Sequence, residues 1–247
     1  MFYNKVQNNV LELNIDIKHS EKRVKMMRNL KNLIEKSQKL KAFWSVSDGS
    51  LYKMCKEYPL HKNASETVSK LFLIGRSYAA AIERGVQLKK GESIYEDRIP
   101  KIFEKEEYGK KIDDALKNIT EHKDLYKIFF AYNLTLEFFS KISGKSNKSL
   151  ASKYLHFHKP DAFFIMDSRA KSAISDVLAI LALPAKLNSN DSEPYKEFKE
   201  SNEYILFYLK CLKCIETIRE KYEISLSTKE FDCLLLTVYE EKKTQSH

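Results

Sequence analysis

Lys148 and Asp167 are the two residues of this chain whose types and positions best suit chemistry. An amine such as that of Lys148 can add covalently to a carbonyl-like carbon. A carboxylate such as that of Asp167 can stabilise a developing positive charge or align a water molecule. Each residue also has a simpler interpretation, because Asp167 could be an ordinary helix N-cap and Lys148 one more surface lysine. The local structure between them therefore decides whether they share a site.

The segment before Lys148 reads as a helix that runs into a tight polar turn, residues 143–147. Within this turn Gly144 can take a positive φ without steric cost. A second helix is predicted from about Lys148 and ends at Lys159, since the residue before Pro160 is disfavoured in the α region. Apolar positions three and four apart give this helix one buried stripe: Leu150, Ala151, Tyr154, Leu155 and His158.

A short apolar connector, residues 163–166, follows Pro160 and delivers Asp167 to the start of a third helix. Asp167 or Ser168 can cap that helix, because a side-chain oxygen at this position accepts a backbone N–H bond. The sequence thus predicts a helical hairpin with a glycine turn, followed by an aspartate at a helix start.

This order of elements resembles the helix-hairpin-helix DNA glycosylase superfamily over roughly thirty of the 247 residues. The resemblance implies that the hairpin grips DNA phosphates, that Lys148 can attack the sugar, and that Asp167 is essential to catalysis. Where the family usually has glycine, an apolar residue and a second glycine, this chain has Gly144-Lys145-Ser146. The resemblance assigns DNA contact to the turn and to two nearby basic residues: Gly144, Lys145, Ser146, Asn147, Lys153 and Arg169.

An enzyme that removes a base must extract it from the duplex and hold it in a pocket. Three aromatic residues near the proposed catalytic pair could stack on such a base: Tyr154, Phe163 and Phe164. Arg76 and Tyr78, in a helix with a glycine and three alanines, could line the pocket or bind a phosphate. The alternative for Arg76 is close helix packing with an Arg76–Glu83 ion pair, since seven residues separate the two on one helix face.

Composition favours an all-α fold, because only six glycines and five prolines interrupt the 247 residues. We expect an N-terminal extension, residues 1–62, and a helical glycosylase-like domain, residues 63–247. Within the extension, residues 1–18 could be a strand or an irregular arm, and Ser20 caps a basic amphipathic helix at 20–41. We also expect Trp44 to be a core anchor. Other helices are predicted at 50–57, 65–86, 110–120, 167–182 and 192–221, with a final helix after Ser227.

The formal net charge of +9 favours a polyanionic partner, and DNA is the partner we expect. A lysine-rich solvated surface explains the charge equally well. Cys211 and Cys214 have CxxC spacing but no second pair, so they are better explained as small core residues than as a metal or redox site. We expect no metal, no cofactor, no membrane segment and a cytoplasmic location.

Two hypotheses remain from the sequence. The first is a DNA glycosylase that acts through Asp167, with or without Lys148 as a lyase nucleophile. The second is a non-catalytic DNA-binding module with the same hairpin, and a helical protein-interaction domain is a third, weaker possibility. Base release that depends on Asp167 would select the first hypothesis over the second.

Overall fold

The structure, a computed structural model, describes the backbone of residues 2–84, 86–187 and 189–245, and the side chains of 29–84, 86–105, 107–187 and 191–244. Every regular element in these ranges is helical, as the sequence predicted. The α-helices are α1 Phe2–Glu57, α2 Ala64–Ser77, α3 Ile99–Glu106, α4 Tyr108–Leu116, α5 Leu125–Ser143, α6 Lys148–His158, α7 Ser168–Ile180, α8 Ser189–Ser192, α9 Asn202–Tyr222 and α10 Thr228–Gln245. A π-helical turn, Ile94–Arg98, precedes α3, and 3₁₀ turns at Glu193–Tyr195 and Lys199–Ser201 precede α9.

Helix α1 differs from the sequence prediction along most of its length. The possible strand at residues 1–18 is wrong, because the backbone is helical from Phe2 and no glycine or proline occurs before Gly49. Asp48 and Gly49, a dipeptide that is common in turns, also lie inside this helix. Asp48 is buried and accepts a hydrogen bond from the Tyr78 hydroxyl at 2.6 Å, so its side chain is committed to a contact within the fold. The predicted helices at 20–41 and 50–57 are therefore parts of one continuous helix.

The N-terminal helix contributes to the same hydrophobic core as the rest of the described chain, through Leu30, Leu33, Ile34, Leu51 and Cys55. The part of the predicted amphipathic helix that precedes residue 29 lies outside the described side chains. Trp44 is not the core anchor that we predicted: it is 51% exposed, and its ring packs on exposed Phe43. The inward positions on either side of it are polar, since Lys41 and Asp48 form ion pairs with residues of α10.

Helix α2 ends at Ser77, well before the predicted end near residue 86, because the chain folds back over Gly75. The Ala80 amide donates to the Gly75 carbonyl at 2.7 Å, and a Cβ at Gly75 would lie 3.1 Å from the Cα of Ala81. Ala79 takes a positive φ of 51° in this reversal. The glycine and the alanines permit a close approach, but the approaching element is the chain's own next segment.

The hairpin has the bounds that the sequence predicted. Helix α5 ends at Ser143, Gly144 caps it with φ +70°, and α6 begins at Lys148 and ends before Lys159. Glycine suits this cap because an L side chain is strained at positive φ. Whether this hairpin is a helix-hairpin-helix element in the family's sense stays a prediction.

The C-terminal helices frame the hairpin. Helix α9 begins at Asn202 and not at residue 192, because Phe198 leaves the helical conformation (φ −84°, ψ 56°) while its side chain is buried. The predicted final helix begins after Ser227 with a capping box, since Glu230 accepts from the Ser227 amide at 2.9 Å. All four cysteines are buried free thiols: Cys55, Cys211, Cys214 and Cys233. No helix in the described part of the chain is long and apolar enough to cross a bilayer.

Candidate active site

Asp167 is held at the end of an irregular connector, residues 162–166, whose backbone groups are satisfied by side chains of α6 and α9. The Tyr208 hydroxyl donates to the Ala162 carbonyl at 2.7 Å, and the Tyr204 hydroxyl donates to the Phe164 carbonyl at 3.1 Å. Buried carbonyl groups without partners are costly, so these tyrosines allow a non-helical segment to run through the core.

Two residues of α6 bind the same connector from the other side. His156 Nδ1 lies 2.8 Å from the Phe163 carbonyl, which can only accept, so Nδ1 carries the proton. The Tyr52 hydroxyl then donates to His156 Nε2 at 2.7 Å. Burial lowers the pKa of His156 to about 4, which keeps this imidazole neutral near pH 7. Ser152 Oγ accepts from the Met166 amide at 2.9 Å and fixes the residue before Asp167.

Replacing Ser152 with alanine is expected to lower the free energy of unfolding by about 1–3 kcal/mol, because it leaves the buried Met166 amide without a partner. Urea unfolding followed by far-UV circular dichroism measures the change. Ser175→Ala, at an exposed position of α7, is the matched control and is expected to change stability by less than about 0.5 kcal/mol. Equal stability of the two variants would contradict this account of the connector.

Asp167 is the N-cap of α7, as predicted, and its side chain is 13% exposed. Its Oδ1 accepts from the amides of Arg169 and Ala170, both at 3.0 Å. Its Oδ2 lies 3.4 Å from Lys153 Nζ and 3.6 Å from Arg169 Nη2. Burial alone would raise the pKa of Asp167, but the charge of Lys153, the Ala170 amide and the Arg169 guanidinium outweigh it and hold the pKa below its usual range. The carboxylate is therefore ionised at neutral pH.

Lys153 does not contact solvent as a DNA-binding residue must. It is 3% exposed, and its amine donates to the Tyr78 carbonyl at 3.1 Å beside Asp167. Lys153 lies five residues after Lys148, so it points to a different face of α6, toward the core. The assignment of Lys153 to nucleic-acid contact is therefore wrong.

Behind Lys153 and Asp167 lies a network of buried charged residues contributed by α1 and α10. Lys229 Nζ is 3.0 Å from Asp48 Oδ2, 2.9 Å from the Tyr78 hydroxyl and 3.4 Å from Asp232 Oδ2. Burial alone would lower the pKa of Lys229, but Asp232, Tyr78 and Asp48 raise it above its usual value. Burial raises the pKa of Asp232, while Lys229 opposes this shift.

Asp167 lines a cavity of about 370 Å³ between the hairpin turn and the first turns of α6 and α7. We call it the Asp167 cavity. Lys148 lines it as well, so the two residues singled out from the sequence lie at one cavity. Its other polar lining residues are Arg84, Ser146, Asn147, Ser149, Ser168, Lys171 and Glu203.

The amine of Lys148 is engaged in an ion pair at this cavity. Its Nζ lies 3.0 Å from Glu203 Oε2, and Lys171 Nζ lies 2.5 Å from Glu203 Oε1. One glutamate of α9 thus bridges two lysines at the cavity. The hydrogen bonds from Lys171 and Lys148 hold the pKa of Glu203 below its usual range, so it stays ionised.

The aromatic residues proposed to stack on a base are buried elsewhere. Tyr154, Phe163 and Phe164 are at most 1% exposed and do not line the Asp167 cavity. The Tyr154 hydroxyl donates to His61 Nε2 at 2.6 Å, because His61 Nδ1 donates to the Asp113 carboxylate, and Phe164 packs on Tyr208. The prediction that these three rings line a pocket is wrong, because the core around α6 uses them as packing residues.

Arg76 and Tyr78 also lie outside the Asp167 cavity. Arg76 forms the ion pair with Glu83 that the sequence offered as an alternative, and its guanidinium lies 5.4 Å from the ring centroid of Phe72. It lines a neighbouring cavity of about 420 Å³, which shares Arg84 and Ala81 with the first. Tyr78 belongs to the buried charged network through its hydroxyl.

The hairpin turn also opens onto a larger concavity of about 1050 Å³, which we call the hairpin groove. Gly144 and Lys145 form one wall, and the chain around Gly91 forms another. Arg98, at its edge, is paired with Glu92 at 2.8 Å. Basic residues outnumber acidic ones in its lining, with Lys89, Lys90, Arg98, Lys101, Lys141 and Lys145 against Glu92 and Asp97.

Sequence reasoning missed Glu203, Lys171 and the buried pair of Lys229 and Asp232. Lys229 and Asp232 are three residues apart in α10 and share a helix face with its apolar residues. That spacing was the available sign of a buried ion pair. Nothing in the local sequence marks Glu203 as a partner of Lys148, since the two are far apart in the chain. Among the described residues no group of three or more His, Cys, Asp or Glu side chains is arranged to hold a metal ion.

Comparison with known proteins adds no family to this geometry. No protein-family model matches the chain, and neither the search of curated proteins nor that of solved structures gave a match.

Proposed function

We propose that this protein is a DNA glycosylase-like enzyme that removes a damaged or modified base from DNA, with Asp167 as its catalytic carboxylate. One observation carries the proposal: Asp167 and Lys148 line the same cavity, beside a glycine-bent helical hairpin. The cavity volume of about 370 Å³ lies within the range of pockets that hold small organic groups. An ionised carboxylate in such a cavity can stabilise the positive charge that develops on a sugar when its base leaves.

The hairpin groove supports the choice of DNA as substrate. Its lysines lie on both sides of the exposed turn at Gly144, next to the Asp167 cavity. A polyanion on this surface would place phosphates against the lysines and release their counterions. The groove and the cavity share the hairpin, so one DNA segment can contact both.

The second candidate is a non-catalytic DNA-binding module with the same hairpin. It is favoured by the contacts of Asp167 inside the protein, since two amides and two cations surround its carboxylate. An aspartate that only caps α7 and balances Lys153 would have the same contacts.

Incubation of the purified protein with duplexes that each carry one modified base separates the two candidates. Mass spectrometry of the small-molecule fraction detects a released base, and fluorescence anisotropy on the same duplexes measures binding. The enzyme releases a base from at least one duplex of the panel. Salt-sensitive binding without base release from a broad panel would support the non-catalytic binding module. Absence of both binding and base release would contradict DNA as the substrate.

Replacing Lys90 and Lys145 with alanine is expected to reduce the salt dependence of DNA binding. Each lysine that neutralises one phosphate contributes about 0.9 to the slope of log K against log salt concentration, so the slope falls by roughly two. Anisotropy titrations between about 50 and 200 mM salt measure it. Lys186→Ala with Lys221→Ala, two exposed lysines outside the groove, is the matched control. An equal loss in both double variants would show that net charge alone drives binding.

A further inference from the structure

Buried residues on both sides of Glu203 fix the backbone that carries it. Ser201, two residues earlier, is fully buried and donates from its hydroxyl to Asn133 Oδ1 at 2.8 Å. Tyr204, the next residue, is fully buried and stacks on Tyr132 with ring centroids 3.7 Å apart. The backbone at Glu203 is therefore fixed against α5, and its carboxylate reaches the Asp167 cavity from a defined position.

The charges at this cavity divide into two sets with separate partners. On one side, Asp167 is balanced by Lys153 and Arg169. On the other side, Lys148 and Lys171 share Glu203. The amine of Lys148 is thus engaged by Glu203, and Asp167 has a different lysine beside it. The carbonyl of Lys148 accepts from the Tyr132 hydroxyl at 3.1 Å, which ties the start of α6 to the same α5–α9 contact.

We propose that Glu203 keeps the Lys148 amine in an ion pair and out of covalent chemistry, so that the protein removes a base without cutting the DNA strand. This inference rests on the proposed function and specifies its products as a free base and an uncut strand. Glu203 is a positioning residue in it, because it acts through Lys148 and does not touch the sugar.

The two outcomes differ in the nucleophile. In the water reaction, the oxygen of water bonds to C1′ and the C1′–N bond breaks with its electron pair on the base. The base takes up a proton, the water loses one to solvent, and the products are the free base and an abasic sugar. Asp167 stabilises the positive charge on the sugar while the bond breaks.

In the amine reaction, a neutral lysine nitrogen bonds to C1′ while the C1′–N bond to the base breaks with its electron pair on the base, which takes up a proton. The lysine nitrogen then loses a proton, and the C1′–O4′ bond breaks with its electron pair on O4′, which is protonated, leaving an open-chain iminium ion. Loss of a proton from C2′ then expels the 3′ phosphate and cuts the strand. This path needs the nitrogen lone pair, which is unavailable while the amine donates all its protons as an ammonium group. The Lys148 amine lies 3.0 Å from Glu203 Oε2, so it must leave this ion pair before its nitrogen can bond to C1′.

An isolated surface ion pair would have little influence on Lys148. Three features distinguish Glu203: it pairs with two lysines at once, its side chain lies at a cavity, and buried residues fix its backbone on both sides. These features make the Glu203–Lys148 ion pair a defined part of the lining of the Asp167 cavity.

Borohydride trapping on a duplex with a single abasic site tests the inference directly. Reduction converts a lysine–sugar iminium into a stable amine, so covalent protein–DNA product reports attack by the amine. We expect little product with the wild-type protein and several-fold more with Glu203→Gln, because the variant removes the carboxylate that engages the Lys148 amine. The additional product disappears in Glu203→Gln/Lys148→Ala. Glu200→Gln, at an exposed position one turn earlier, gives the wild-type level.

Anisotropy on the same abasic duplex separates failure of this inference from failure of the proposed function. Wild-type protein that traps DNA through Lys148 would overturn the inference. Glu203→Gln protein that binds the abasic duplex but traps no more than wild type would overturn it as well, and would leave base removal by Asp167 intact. A chain that neither binds abasic DNA nor releases a base overturns both.

Discussion

Asp167→Asn is expected to lower the rate of base release by roughly 10²–10³-fold, the usual effect of removing one group that stabilises transition-state charge. Asparagine keeps the size of the side chain and the Oδ1 atom that caps α7, so helix capping survives. What it removes is the negative charge of a residue that lines the cavity. Single-turnover release of the base, measured by mass spectrometry, gives the rate for each protein.

Asp161→Asn, an exposed aspartate before the connector, is the matched control and is expected to retain the wild-type rate. Because the pKa of Asp167 lies below its ordinary value of about 3.9, the carboxylate loses its charge only as the pH falls below that value. The rate is therefore not limited by this group between pH 5 and 8. A fully active Asp167→Asn protein with normal thermal unfolding would remove Asp167 from the mechanism.

Lys229→Met is expected to lower the free energy of unfolding at pH 7 by about 3–5 kcal/mol, because it leaves Asp48 and Asp232 buried without their cation. Methionine occupies a similar volume, so the loss reflects charge and not a cavity. Urea unfolding of the variant and of wild type gives the difference. Lys243→Met, at an exposed position of the same helix, changes stability by less than about 0.5 kcal/mol.

The direction in which the stability of Lys229→Met changes with pH provides a second check on the buried charged network. Burial raises the pKa of Asp232, and without Lys229 its nearest opposing charge is gone, so Asp232 binds a proton more tightly in the folded than in the unfolded state. Lower pH then favours the folded variant, so the stability gap to wild type narrows between pH 7 and pH 5. Adding Asp48→Asn to Lys229→Met is expected to recover part of the loss at pH 7. A gap that widens on acidification would contradict the assignment of these charges.

The hairpin and its flanks could be predicted from sequence because their signals are local. Gly144 permits the positive φ at the end of α5, Pro160 stops α6, and Asp167 caps α7 with its own side chain. Each of these effects depends on residues within one helical turn. Their positions in the fold therefore follow from their neighbours in the chain.

The rest of the site depends on contacts between distant segments, which local patterns do not contain. Glu203 meets Lys148 only because α9 packs on α5, and Lys153 meets Asp167 only because the connector returns along α6. Aromatic residues were the least predictable. Tyr154 and Phe163 have side chains that could stack on a base, but they are buried. Trp44 has a side chain typical of a core, but it is half exposed.

The four buried cysteines allow local unfolding of α1, α9 and α10 to be followed in solution. Burial raises the pKa of Cys55 to about 12 and that of Cys233 to about 11, so these thiols react slowly with alkylating reagents while folded. Cys55 belongs to α1, Cys211 and Cys214 to α9, and Cys233 to α10. Pulsed alkylation with peptide mass mapping therefore times the release of each helix. Early modification of Cys55 alone would mean that the first helix detaches as a separate cooperative unit, and simultaneous modification would mean that it unfolds with the hairpin.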